Sequence, residues 1–299
     1  MNIELDQKNK SRAYPRKGAF KEKAMRAVFF VSACVSVLAV ILICLFLFAN
    51  GVPSIREIGF INFIFGQKWA PEQGIFGILP MIVGSLYVTA GSIALGVPIG
   101  ILSAIFMARF CPKSLYKILK PMLNLLAGIP SVVYGLFGLT VIVPFIRNTF
   151  GGSGSSMLAA IIVLAIMILP SVISVSESSL RAVPDSYYEG SLALGATHER
   201  SIFFVLVPAA SSGIMSGVIL GVGRAIGETM AIIMVAGNQS IMPSGLLQGL
   251  RTLTTNIVLE MGYAQDLHRG ALIATAVVLF VFILIINFCF SFAKGRSKG

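Results

Sequence analysis

The sequence predicts an all-α integral membrane protein with six transmembrane helices. Three observations carry that expectation. Hydrophobic residues fill 56% of the 299 positions and charged residues only 12%, about half the charged share of a soluble domain. The charge-free runs 27–55, 73–108, 121–146, 148–176, 201–223, 229–250 and 270–293 each exceed the ~18 residues that mark a membrane-crossing helix. The basic residues then sort to one side. With the N-terminus inside, 17 Lys and Arg fall in inner segments and 5 (Arg56, Lys68, Arg147, Arg251 and Arg269) in outer ones, as the positive-inside rule requires. This composition excludes a soluble enzyme, a disordered chain and a disulfide-stapled module. The net charge of +11 is explained by the inner loops, so no nucleic-acid partner is expected.

Residues 1–26 read as a basic cytoplasmic tail and 27–49 as the first transmembrane helix. The run beginning at residue 27 is 29 residues long, too long for the ~7–15-residue core of a cleaved signal, and is expected to remain as an anchor. Residues 50–76, with Pro53, Trp69 and Pro71, form an external connection. The Gly-Gly-Ser-Gly-Ser-Ser tract at 151–156 is a flexible external turn. Only Arg224-Ala-Ile-Gly-Glu228 separates the fifth and sixth runs. So short a segment cannot reverse the chain in lipid without stranding backbone polar groups. Residues 209–237 therefore read as one span carrying two charges, and the total is six. Residues 293–299 form a second cytoplasmic tail. Cys34, Cys44, Cys111 and Cys289 have no paired or metal-like spacing and are expected to be packing residues.

No Gly-Lys pair occurs, so the chain has no phosphate-cradling loop for ATP. The two histidines, His198 and His268, fall in loops on opposite sides and build neither a metal cluster nor a triad. An intramembrane enzyme lacks its nucleophile and base.

Two segments carry chemistry. From Glu177 to Pro208 the chain reads as a helix beginning near Pro184, a stop at Gly195 and a second helix ending at Pro208. Tyr188, Leu192 and Leu194, then Ile202, Phe203 and Val205, make both partly apolar. A knob that docks into a partner and a surface-lying hairpin without one both fit that pattern. The second segment holds Arg224 and Glu228 inside the fifth span, four residues apart and expected on one helix face. They form either a structural ion pair or a cation on the route of an anion, and an intramembrane charge favours function. Gly221, Gly223 and Gly227 would permit close helix approach.

Glu189, Gly195 and Leu206-Val207-Pro208 stand in the spacing of the E-A-A-x3-G loop of ABC-importer permeases, with Gly190 and Ser191 in place of the two alanines. Four stretches (69–89, 125–139, this loop and 223–238) resemble the phosphate-specific permeases of the PstC type. The resemblance covers residues 77–292 and implies the type I ABC importer permease fold with a cytoplasmic coupling-helix loop. It implies ATPase coupling through Glu189, Gly190, Ser191, Gly195 and Pro208. Ser131, Tyr134, Arg224, Glu228, Thr229 and Asn238 are the candidate substrate path. The implied partners are a second, PstA-type permease subunit, a PstB-type ATPase dimer, a PstS-type extracytoplasmic phosphate-binding protein, and membrane lipid. No cofactor is expected on this chain, ATP and Mg being used by the ATPase. The expected location is the bacterial cytoplasmic membrane, with both termini inside. A permease for molybdate or sulfate is the near alternative. A proton-coupled secondary transporter, with Arg224 and Glu228 as relay, is the distant one and leaves the Glu189–Pro208 loop unexplained.

Overall fold

A computed structural model describes residues 19–296. Most of the basic tail expected at 1–26, and the last three residues of 293–299, lie outside the described residues. The chain divides into two units, residues 1–49 and 50–299. In the first, the described residues form the N-terminal part of one helix, α1 (Ala19–Ile58). It holds no glycine or proline before residue 51 and is apolar on every face, as a membrane-crossing helix is. The helix continues past the expected boundary at 49, through Pro53 to Ile58.

The second unit begins at Asn50. After α1 come a short helix, α2 (Phe60–Phe65), and a two-residue β-hairpin. The hairpin pairs β1 (Trp69–Ala70) antiparallel with β2 (Ile75–Phe76), Trp69 opposite Phe76. Gly74 turns it with φ +69, a left-handed conformation that glycine adopts freely. Much of the expected external connection is therefore structured. Next come α3 (Leu79–Phe110), α4 (Lys113–Gly128), α5 (Ser131–Phe150) and α6 (Met157–Arg181). The short α7 (Asp185–Ala193) leads to α8 (His198–Ala209), bent by 69° against α9 (Ser211–Gly227). The chain closes with α10 (Met230–Val235), α11 (Leu253–Glu260) and α12 (Asp266–Arg296). Among the described residues, five helices are long and apolar enough to cross a membrane, and six spans result when the α8–α9 pair is one.

Helix α6 is the central post. Ser156 caps it, its Oγ accepting from the Ala159 N–H at 3.3 Å, and α3 and α9 both close on it through glycines. A methyl group on Gly91, Gly96 or Gly100 of α3 would sit within 2.5–2.8 Å of Ile161, Ile168 or Val172. On α9, Gly213, Gly217 and Gly221 face Ser179, Ser176 and Val172 of α6 at 2.2–3.2 Å. Lipid gives helices no hydrophobic incentive to associate, so close backbone approach supplies the packing.

The spans are less regular than the apolar runs suggest. Wide helical turns occupy Phe106–Phe110, Gly138–Ile142 and Ile202–Leu206. Each lies just before a proline (Pro112, Pro144 or Pro208), whose missing N–H breaks the regular hydrogen-bond ladder. The expected span 121–146 is also divided. Ile129 and Pro130 are extended, with ψ 128 and 143, because a proline disfavours helix in the residue before it. What reads as one apolar run is the end of α4, a break and α5.

Candidate functional site

The Arg224 region sits where the fifth span is interrupted. Helix α9 ends at Gly227. Glu228 is extended, with φ −71 and ψ 132, and α10 restarts at Met230. This corrects the expected Arg224–Glu228 pairing, since the two side chains do not share a helix face. Among the described residues no ion pair joins them. The buried Glu228 carboxylate turns forward instead, and its Oε1 accepts the Ala231 N–H at 3.1 Å. It thereby satisfies a donor that the first turn of α10 leaves open. The backbone carbonyl at the break is used as well, for Thr254 Oγ1 donates to Glu228 O at 3.1 Å.

Arg224 is half-buried, and its Nη1 donates to Ser171 Oγ of α6 at 3.4 Å, a long bond. Tyr134 Oη donates to the Leu126 carbonyl at 2.8 Å, bridging the break between α4 and α5. Only Gly221 of the three expected packing glycines meets a neighbour, Val172. Gly223 and Gly227 have open space where a side chain would stand and are exposed. They leave bare backbone on either side of Arg224 in this chain.

The remaining expected path residues are spread out. Thr229 Oγ1 returns to the Gly227 carbonyl at 3.3 Å, and Ser131 is half-buried in the first turn of α5. Asn238, at φ 53, stands beyond α10, where its Nδ2 donates to the Ile233 carbonyl at 2.8 Å. Among the described residues none of these three hydrogen-bonds to Arg224. Ser171 is the partner that sequence reading missed. A serine after Pro170 in an apolar run gives no signal that distinguishes it from Ser176 or Ser178.

At the opposite end of α9 lies the helix–Gly–helix segment. Pro184 precedes α7, and Gly195 ends it with φ +85. Thr197 Oγ1 accepts the Arg200 N–H at 3.3 Å and caps α8. Tyr188 Oη meets His198 Nδ1 at 2.8 Å and fixes the two short helices together. The segment keeps a buried side, with Ile202 and Leu206 in the core beside Ile105 and Leu180. It also has an outward side, where Tyr187, Leu192, Leu194 and Phe204 are exposed, Leu194 at 91%. Glu189, Gly190, Gly195 and Pro208 lie on the exposed surface, whereas Ser191 is buried, its Oγ donating to the Tyr188 carbonyl at 2.8 Å. Ile202 therefore belongs to the anchor, and Tyr187 and Phe204, absent from the sequence expectation, belong to the projecting face.

The hairpin end holds a third polar cluster. Glu260, 6% exposed, accepts from Trp69 Nε1 at 2.9 Å, meets His268 Nε2 at 2.8 Å and pairs with Arg251 Nη1. Arg251 also donates to Asn256 Oδ1 at 2.9 Å and to the Asn238 carbonyl at 3.1 Å. The cluster ties the hairpin, α11, the start of α12 and the turn after α10 together. Beside it, burial and the Glu260 carboxylate push the Tyr263 phenol above its usual range.

Among the described residues, five apolar spans, or six with the bent α8–α9 pair, a helical knob before α9 and a half-buried arginine near its end characterise the chain as a membrane-embedded subunit. The chain belongs to the family described as binding-protein-dependent transport system inner membrane component, which matches residues 96–295. It is 41% identical over 283 residues to the probable ABC transporter permease protein YqgH of Bacillus subtilis, covering 90% of this chain and 92% of that one. It is 34% identical over 261 residues to the phosphate transport system permease protein PstC of Mesorhizobium japonicum, covering 80% of each. Among solved structures, an inward-facing MetNI methionine ABC transporter matches with TM-score 0.61 at 20% identity, over 77% of this chain and 99% of that one. A bacterial alginate ABC transporter also gives 0.61, at 15% identity, over 94% and 96%. These likenesses place the fold among type I ABC importer permeases.

Proposed function

We propose that this chain is the PstC-type permease subunit of an ATP-driven importer of inorganic phosphate. In this reading it works in the bacterial cytoplasmic membrane beside a second, PstA-type permease. A PstB-type ATPase dimer consumes ATP and Mg, and a PstS-type extracytoplasmic protein delivers the anion. The observation that carries the substrate is Arg224. It is a half-buried guanidinium flanked by bare backbone at Gly223 and Gly227, held by one long bond to Ser171. A guanidinium presents several fixed donors to a tetrahedral oxyanion, and this one is not neutralised by Glu228. The resemblance to phosphate permeases supports the same substrate.

The knob face of Tyr187, Leu192, Leu194 and Phe204, with Glu189, Gly190, Gly195 and Pro208, docks on the ATPase at the cytoplasmic side. The buried Ser191 hydroxyl braces α7 from within. ATP-driven closure of the ATPase dimer draws the coupling helices together and moves α9 through its bend at Ala210. Arg224 then alternates between outer and inner access. Ser131, Tyr134 and Thr229 supply hydroxyls along the way, and Asn238 closes the outer turn. Glu228 has no proton-relay role in this reading, because its carboxylate caps α10.

The test is reconstitution of the four-component complex in liposomes with the phosphate-binding protein. ATP-dependent accumulation of labelled phosphate is expected. ATP hydrolysis stimulated only by a different loaded binding protein would overturn the substrate.

A further inference from the structure

At the inner end of α6, Glu177 is 1% exposed yet holds three partners. Tyr116 Oη donates to its Oε1 at 2.9 Å, Lys120 Nζ pairs with Oε2, and Arg181 Nε pairs with Oε1. Two of the three are on α4. The cluster extends to the knob. Arg181 stacks over the Tyr116 ring, 4.3 Å from its centroid, and donates to the Met107 carbonyl at 2.8 Å. Arg109 donates to the Leu180 carbonyl at 3.0 Å and pairs at 3.2 Å with Asp185, the first residue of α7.

Helix α4 is otherwise held lightly. None of its residues is buried. Ile118, Met122 and Leu125 are 53–72% exposed. A cavity of about 400 Å³, lined by Phe106, Met107, Leu119, Leu123 and Ile173 among others, lies between α4 and its neighbours α3 and α6. Dense packing resists displacement, whereas an element with few buried contacts beside an open groove is less constrained. The far end of α4 is the Gly128–Pro130 break, bridged by Tyr134, and the next residue, Gly135, packs against Ala231 and Met234 of α10, just beyond the break that follows Arg224.

From these features we propose that Glu177 and Lys120 form a latch that transmits movement of the knob to α4 and the break before α5. Asp185 and Arg109 carry displacement of α7 to the end of α6, and Glu177 passes it through Lys120 and Tyr116 to α4. The break at Ile129-Pro130 then works as the hinge through which α4 opens or shuts the inner side of the Arg224 site. Lys120 and Glu177 are positioning residues and touch no substrate. The inference rests on the permease reading but not on the identity of the anion.

The experiment compares wild type, Lys120→Met and Lys120→Arg in the reconstituted complex. It records assembly, ATP hydrolysis without binding protein, and uptake of labelled phosphate. Wild-type uptake serves as the control for the substrate, so its absence indicts the phosphate assignment and leaves the latch to be read from binding-protein-stimulated hydrolysis. Lys120→Met is expected to assemble and to hydrolyse ATP within about two-fold of wild type. Its uptake, or the stimulated hydrolysis, should fall at least ten-fold, and Lys120→Arg should restore it. Retained uptake in Lys120→Met overturns the latch, as does a parallel loss of assembly and basal hydrolysis. A second measurement does not depend on that variant. With the four native cysteines replaced, Lys120→Cys/Glu177→Cys is bridged by a short reducible thiol crosslinker. The bridge is expected to stop transport until it is reduced, and unimpaired transport while bridged contradicts the proposal.

Discussion

Arg224 takes its importance from what surrounds it as much as from its charge. A guanidinium at membrane depth costs roughly 2.5–3.5 kcal/mol to insert. The single long bond to Ser171 offsets little of that, so the residue is retained for a ligand in this account. Arg224→Gln is expected to abolish uptake while the complex still copurifies intact; disassembly would return Arg224 to a structural role. The presence of this charge was plain from sequence, but its partner was not. Spacing of i and i+4 implies a shared face only while the helix continues, and it ends at Gly227. Glu260 is the contrasting case, a buried carboxylate with Trp69, His268 and Arg251 around it. Glu260→Ala leaves Arg251 without its counter-charge and should lower stability by about 3–5 kcal/mol, read as an earlier thermal unfolding in detergent. That cluster was invisible in the chain because Trp69 and Glu260 are 191 positions apart. At Gly195, φ +85 penalises any side chain by about 1–2 kcal/mol. Gly195→Val should reduce uptake per ATP hydrolysed, and unchanged coupling would remove the knob from the docking role.

At the scale of elements, glycines in one helix do two different things. Gly213, Gly217 and Gly221 form the seam with α6, whereas Gly223 and Gly227 open onto the Arg224 face. Leucine at Gly217 would press on Val175 and the Val172 carbonyl, at 3.2 and 3.3 Å. Overpacking of that kind costs about 1–3 kcal/mol, so Gly217→Leu should lose assembled complex on size-exclusion chromatography while Gly223→Ala keeps it. The sequence did not separate these glycines, since the period alone does not say where the neighbouring helix stops. The short helices around Gly195 were legible because Pro184, Gly195 and Pro208 punctuate the chain locally, although the Thr197 cap was not read. The breaks at Pro130 and Glu228 were not, because an apolar run continues across each. A proline inside a span signals disruption without saying whether the helix widens, as before Pro208, or parts, as at Pro130.

For the whole molecule, hydropathy and charge supplied the span number. Lipid tolerates few alternatives to the helix, and the basic residues crowd to one side. The tertiary arrangement needed the structure, which packs glycines of α3 and of α9 on a central α6 and builds one polar cluster at Glu177 and another at Glu260. Glu177 ties the end beside the knob and Glu260 the hairpin end, with Arg224 at the break after α9. The measurement that tests this account most directly is uptake of radiolabelled phosphate in cells lacking the chain, with unlabelled phosphate, sulfate and molybdate as competitors. The account predicts loss of an ATP-dependent uptake that only phosphate competes and that the wild-type chain restores. Normal phosphate uptake with a fall in sulfate or molybdate entry would contradict it.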